Sequence, residues 1–219
     1  MPLALQPPKP VFIFDIGGVV IKWKDNDPIF KFVADRYGVP FNRMKQVMQE
    51  GITEFESGRI SSRGYFENCL KQVGKKMKKG DDPDWLMTFP CERLVKLRKG
   101  TVGIIKMLRR KGYKVYALTN TSSPHVEMAR RLGWDALFDR YFASCEIGAV
   151  KPDKKAFQYV LEQASASPEQ TVFIDNNTAC VGGGKRAGIK RSFHFRSVSL
   201  LRKEIAEILE ELYSPVEKS

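Results

Sequence analysis

Histidine is nearly missing from this chain, at two residues in 219, and cysteine is scarce, at four. Cys69, Cys91, Cys145 and Cys180 are spaced too widely for a zinc or disulfide signature, and their apolar surroundings fit reduced thiols in a cytoplasmic protein. No apolar run approaches the ~18 residues that a membrane-crossing helix needs. The start of the chain, proline-rich through Pro10, lacks the basic region and apolar run of a signal peptide and reads as a tail leading into a strand. An acidic balance is missing too, because 37 Lys and Arg against 25 Asp and Glu leave a net charge of +12. That excess is diffuse, at +6 over residues 22–99 and +6 over the rest. A nucleic-acid binder concentrates its basic residues on one face and interleaves aromatics among them. Here the densest points, Lys75-Lys76, Lys78-Lys79, Arg109-Arg110-Lys111, Lys185-Arg186 and Lys190-Arg191, read as solvated helix ends and turns. The charge therefore points to steering of a small anionic partner rather than to nucleic acid or membrane.

What is present is a 42% apolar chain long enough to bury a core without covalent staples. Val11-Phe12-Ile13-Phe14 is continuously apolar and runs into Asp15 and then Gly17-Gly18, the pattern of a strand covered on both faces that enters a turn. Residues 28–37, 42–50, 61–73 and 84–87 carry helical periodicity, broken by Gly38, Gly51, Gly58 and Gly80, and no strong strand stands between Trp23 and Arg98. Helices and strands then alternate: helix 102–110, strand 113–118, helix 124–132, strand 141–144, helix 154–163, strand 171–174, helix 179–187, strand 189–195 and a last helix 200–212. Such alternation predicts an α/β fold, a three-layer Rossmann-like core with a mostly parallel sheet. Residues 1–21 and 101–219 form that core, and residues 22–100 form an inserted helical domain. Right-handed crossovers place all strand-to-helix loops on one edge, where ligands bind in such sheets.

Four polar groups follow strands toward that edge. Asp15 ends the first, Thr119-Asn120 the second, Lys151 comes seven residues after Ser144, and Asp175-Asn176 end the Val172-Phe173-Ile174 run. Their chemistry suits phosphoryl transfer. Asp15 can attack phosphorus to form an aspartyl phosphate. Thr119 and its backbone can hold nonbridging oxygens, Lys151 can offset their charge, and carboxylates at Asp15 and Asp175 can hold Mg²⁺. Each residue also has an ordinary reading: Asp15 as a turn cap, Thr119 as a β-branched strand end, Lys151 as a solvent-facing side chain, and Asp175-Asn176-Asn177 as a turn opening a helix. Gly182-Gly183-Gly184-Lys185 lacks the spacing of a phosphate-binding loop and reads as a helix packed tightly on the core. His125 reads as a surface or capping residue near the rim, His194 as structural, and Trp85 and Trp134 as packing residues. Trp23 reads as a packing residue too, with the lining of a cleft between the core and the insertion as its alternative, since it lies just past the first loop.

Phe14-Asp15-Ile16-Gly17-Gly18-Val19-Val20, Leu118-Thr119-Asn120, Lys151-Pro152-Asp153 and Phe173-Ile174-Asp175-Asn176 resemble the four ordered motifs of the haloacid dehalogenase-like hydrolase superfamily, over nearly the whole chain. The helical insertion resembles the small cap of its phosphatase-type members, and the pattern is most similar to a sugar-phosphate phosphatase-like branch. The resemblance implies Mg²⁺-dependent hydrolysis of a small phosphomonoester, such as a sugar phosphate, by a monomer or homodimer. It makes Asp15 the nucleophile, Gly18, Thr119, Asn120 and Lys151 the phosphate-binding residues, and Asp15, the Gly17 carbonyl, Asp175 and Asn176 the metal-binding set. Two positions depart from the pattern. Gly17 stands where such phosphatases carry an aspartate that protonates the leaving group, and Asn176 stands where a second acid commonly ligates the metal. Both departures keep open a non-catalytic relative that only binds. Dehalogenation, which needs neither residue 17 acid nor metal, is the other alternative.

Overall fold

The computed structural model describes residues 9–23 and 27–213; the expected tail before Lys9 lies outside them. In chain order the first elements are β1 (Val11–Phe14), β2 (Ile21–Trp23), α1 (Pro28–Tyr37), α2 (Phe41–Glu56), α3 (Ser62–Gln72), α4 (Pro83–Leu94) and β3 (Val95–Leu97). There follow α5 (Lys99–Arg110), β4 (Lys114–Thr119), α6 (Ser123–Arg131), β5 (Arg140–Ala143), α7 (Ser144–Ile147) and α8 (Lys154–Ala164). The last are β6 (Thr171–Asp175), α9 (Thr178–Arg186), β7 (Arg191–His194) and α10 (Val198–Tyr213). Five strands form one parallel sheet in the order β5-β4-β1-β6-β7, so the chain belongs to the α/β class with a Rossmann-like core.

The uninterrupted apolar run of β1 is explained by its place. It sits between β4 and β6 and is buried at every residue. Alternate residues feed two apolar clusters, with Phe12 and Phe14 on one face of the sheet and Val11 and Ile13 on the other. The helices α5 and α10 cover the first face through Ile105, Leu108, Leu201 and Ile205, and α8 covers the second through Phe157 and Val160. Chain order runs outward from β1 through β4 to β5, then returns to the other side for β6 and β7. Loops leaving adjacent strands in opposite directions open a crevice beyond the carboxyl end of β1.

Helices α1 to α4 carry a third cluster of their own, centred on Met44, Met48, Tyr65, Phe66 and Leu86. Three expectations for this region are corrected. A strand does occur before Arg98: Val95–Leu97 pairs antiparallel with Ile21–Trp23, and the Arg98 N–H continues the pairing to the Val20 carbonyl at 2.7 Å. Two three-residue strands recognise each other only when the chain has returned, which leaves no local period to read. Gly51 does not end the second helix, which runs on to Glu56. The Tyr65 ring lies 3.3 Å from where a Cβ on Gly51 would stand and stacks on Phe55 at 4.5 Å, so this glycine serves helix-to-helix approach rather than termination. The fourth helix extends through Pro90 to Leu94, well past residue 87. No helix among the described residues is long and apolar enough to cross a membrane, and the four cysteines are free thiols.

Two of the three glycines of α9, Gly183 and Gly184, form the tight packing surface expected, whereas a Cβ on Gly182 would meet only the Arg186 side chain of its own helix. A Cβ on Gly183 would meet the Pro152 carbonyl at 2.7 Å, and one on Gly184 would meet Ser192 Oγ at 2.7 Å and Phe173 at 2.9 Å. Gly184→Ala is expected to lower unfolding free energy by about 1–3 kcal/mol through overpacking. Gly103→Ala, on a helix face with nothing within 4 Å, is expected to raise it by about 0.5–1 kcal/mol. Urea denaturation of the two variants beside the parent checks both signs.

Candidate active site

Register brings the four expected segments together at the crevice. Phe14 pairs with Ala117 on one side and Ile174 on the other, so Asp15 emerges level with Leu118-Thr119 and with Asp175. The Asp15 N–H donates to the Ile174 carbonyl at 2.8 Å. Lys151 arrives from the loop after α7. Its backbone is clamped by Asn120, whose Nδ2 donates to the Lys151 carbonyl at 2.8 Å while its Oδ1 accepts from the Lys151 N–H at 2.8 Å. Both ends of the Asn120 amide are thus used to orient Lys151.

Lys151 Nζ donates to Asp15 Oδ1 and to Asp175 Oδ2, each at 2.7 Å. All three groups are almost fully removed from solvent, with Asp15 at 7%, Lys151 at 4% and Asp175 at 1% exposure. Asp175 Oδ1 accepts from the Asn177 N–H at 2.7 Å, and Asn177 in turn caps α9 by accepting from the Ala179 N–H at 2.9 Å. The turn-forming reading of this segment and its place at the site are therefore both true, and both Asp175 oxygens are held by protein donors. Burial pushes the Asp15 carboxyl up, against the pull of Lys151 and with the repulsion of Asp175, to about 6. Burial opposes charge on Lys151, but the two carboxylates outweigh it and hold the ammonium above its ordinary value. By formal charge the trio sets two carboxylates against one ammonium.

Gly17, Gly18 and Asn176 meet on the other side of Asp15. With its NH₂ turned inward, Asn176 donates to the Gly17 carbonyl at 2.6 Å and to Asp15 Oδ2 at 3.3 Å. With the amide turned over, three oxygens converge there instead, which is the hard, oxygen-only donor set that Mg²⁺ takes. The residues thus fit the ion, although no cluster of three acidic, histidine or cysteine side chains exists among the described residues. Gly18 has φ +80°, and a Cβ there would stand 2.5 Å from Asn176 Nδ2, so a larger residue would displace Asn176. Gly17 has room: a Cβ would meet only Asp15 Oδ2, at 3.9 Å.

Above the site lies a cavity of about 230 Å³ between core and insertion. Gly17, Thr119 and Asn120 form its floor, and its walls are mostly apolar, including Ile16, Ile21, Trp23, Phe30, Ile52 and Met87, with Ser122, His125 and Tyr141 among the polar ones. Trp23 lines the cleft, the alternative to its packing reading. His125 is not a surface residue: its Nδ1 lies 3.2 Å from Ser122 Oγ, and its Nε2 lies 3.2 Å from the Met87 carbonyl and 3.3 Å from Cys91 Sγ. Burial holds its pKa below the ordinary histidine value against the Met87 carbonyl, so the ring is neutral. His194 is structural, with Nε2 at 3.0 Å from the Asn176 carbonyl.

Two residues of this site had no signal in the sequence. Ser144 Oγ donates to the Glu56 carbonyl at 2.6 Å and accepts from the Thr121 N–H at 2.8 Å, stitching the end of α2 to the loop after β4. Glu56 itself lies past the glycine at which the helix was expected to stop, and it lines the cavity. Burial pushes that carboxyl up to about 7, with Lys151 opposing and Asp15 reinforcing.

Residues 10–188 match the family model of haloacid dehalogenase-like hydrolases. The sesquiterpene phosphatase astK of Aspergillus oryzae is 25% identical over 81% of this chain and 85% of its own length. The D-ribitol-5-phosphate phosphatase of Bacteroides thetaiotaomicron is 26% identical over 90% of this chain and 97% of its own. A crystal structure of a HAD family enzyme from the same bacterium, in complex with magnesium and inorganic phosphate, superposes with a TM-score of 0.70 at 20% identity, covering 86% of this chain and 95% of that one. With its parallel sheet, its four ordered motifs gathered at one crevice and its phosphatase relatives, the chain belongs to the haloacid dehalogenase-like hydrolase family and is an enzyme of its phosphatase kind.

Proposed function

We propose that this protein hydrolyses a phosphomonoester of an apolar alcohol, with Mg²⁺, through an aspartyl phosphate on Asp15. The observation that carries this reading is the buried Asp15–Lys151–Asp175 trio next to a mostly apolar cavity, whose lining takes in Ile16, Gly17, Thr119 and Asn120 from the segments that position Asp15 and Lys151. Asp15 is the nucleophile, held in one rotamer by Lys151 on Oδ1. Lys151 also offsets the charge of the transferring phosphoryl group, and Thr119 with the backbone amides around Gly18 and Asn120 binds its nonbridging oxygens. Asp15, the Gly17 carbonyl and Asn176 would hold the ion, which Asp175 joins only by sharing the carboxylate that Lys151 now holds. Bound Mg²⁺ would supply the positive charge that a site with one excess negative charge lacks toward a phosphate dianion.

The leaving group follows from the cavity. A sugar presents several hydroxyls that all need hydrogen-bond partners once buried, and the lining is mostly apolar, with only a few polar side chains such as Glu56, Ser122 and Tyr141 among its isoleucines, tryptophans, phenylalanine and methionines. An alkyl or isoprenoid chain loses water-exposed apolar surface there at roughly 25 cal/mol per Å². The name of astK, a sesquiterpene phosphatase, agrees with this; that of the ribitol phosphate phosphatase favours the sugar reading. Binding without turnover is favoured by the Asn176 amide, which can occupy the cation position through its own hydrogen bonds.

Phosphate release measured across esters separates these readings. Decyl and farnesyl monophosphates are expected to give kcat/KM at least about tenfold above ribitol or glucose phosphate, with activity lost in EDTA and cut by at least about 10³-fold in Asp15→Asn. Sugar phosphates turning over faster would return the substrate to the polar class. Absence of release above the D15N background would leave a binding protein, and halide release from a haloacid without Mg²⁺ would make it a dehalogenase. Asn176→Asp is expected to lower the melting temperature without metal, because a carboxylate then faces the Gly17 carbonyl and Asp15. It is also expected to tighten Mg²⁺ binding about tenfold, both readable by calorimetry.

A further inference from the structure

We propose that Glu56, carried from the insertion on the end of α2, is the general acid and base of this site, doing from above the work that residue 17 cannot do from below. This rests on the phosphatase reading and adds to it the source of the proton. Glu56 lines the same cavity as Gly17 and Thr119, and its carboxyl is close enough to Lys151 and Asp15 for both to act on its charge. Among the described residues its carboxyl makes no hydrogen bond or ion pair, while its backbone carbonyl accepts from Ser144 Oγ. Through Ser144, which also bonds Thr121, that contact fixes the helix end against the loop that follows β4. A second close approach reinforces it, since a Cβ on Gly58 would stand 2.4 Å from the Cys145 carbonyl, so the chain just past Glu56 is seated on the core.

The other titratable groups lining the cavity do not serve. Both nitrogens of His125 face protein partners and its ring is neutral. Burial pushes the Tyr141 phenol upward and the Cys91 thiol up to about 12. The groups acting on Glu56 are Lys151 and Asp15 from the core, and Glu56 in turn acts on Tyr65 of α3. Its pKa near 7 makes both protonation states accessible at neutral pH, as acid and base catalysis by one group requires. In the first step an Asp15 oxygen bonds to phosphorus, the bond from phosphorus to the alcohol oxygen breaks, and the Glu56 proton passes to that oxygen. In the second, water attacks the phosphorus of the aspartyl phosphate, its proton passes to the Glu56 carboxylate, and Asp15 leaves as a carboxylate.

The test compares leaving groups in the full-length protein with Mg²⁺. Glu56→Gln is expected to slow decyl phosphate hydrolysis by at least about 100-fold. On p-nitrophenyl phosphate, whose leaving group needs no proton, the same variant is expected to release about one equivalent of nitrophenol in a burst and then turn over slowly, as the aspartyl phosphate waits for a base. Adding Gly17→Asp in the E56Q background, at the position with room for a side chain, is expected to recover at least about tenfold in decyl phosphate turnover. E56Q turning over decyl phosphate within about threefold of the parent overturns the assignment. Loss of the nitrophenol burst also overturns it, because Glu56 would then build the site rather than move a proton. If the parent protein releases phosphate from neither ester, the phosphatase reading itself falls, and Glu56 with it; Asp15→Asn, expected to show neither burst nor turnover, separates that case from a fault in Glu56 alone.

Discussion

A single ammonium between two buried carboxylates organises the functional end of this protein. Lys151 is removed from water, as are Asp15 and Asp175, and each group is tolerable there only because the others are present. Removing one partner from such an arrangement typically costs about 3–5 kcal/mol, so the surrounding loops are constrained to deliver all three. Asn120 does so by gripping the Lys151 backbone at two points, and Asn177 by closing the turn after Asp175 while capping α9. Side chains that could pass for phosphate binders or turn formers therefore act first as the frame that lets a lysine stay charged in the interior.

The seam between core and insertion is built with the same economy. Ser144 joins three segments through one hydroxyl, and Gly58 lets the insertion chain touch the Cys145 carbonyl. The β2–β3 ribbon holds entry and exit of the insertion side by side. These contacts leave a mostly apolar chamber whose floor includes Gly17 of the segment that follows the buried Asp15. Apolar walls strengthen every electrostatic interaction at the floor by keeping water away, and they raise the pKa of the one carboxyl that faces in, at Glu56. Gly17 and Asn176, which look like losses when the motifs are read alone, then belong to one arrangement. The floor carries fewer charges than related phosphatase motifs provide, and the insertion places another above it.

Much of the core was legible because its signals are local. A continuous apolar run ending in Asp15-Ile16-Gly17-Gly18 can only be a covered strand entering a turn, and period-3.6 stripes after Gly100 mark helices whose partners need not be known. The order of Asp15, Thr119, Lys151 and Asp175 after successive strands determined that they would share an edge, since right-handed parallel crossovers permit no other placement. What the tertiary structure alone decided was every feature that depends on two distant segments meeting. Val95–Leu97 is a strand only beside Ile21–Trp23, and Gly51 continues a helix only because Tyr65 packs on it. Glu56 faces the site only because that helix continues. The sequence carries chemistry and local period in its own order, whereas burial, charge coupling and the walls of a cavity come from which residues are brought within a few ångströms across the fold.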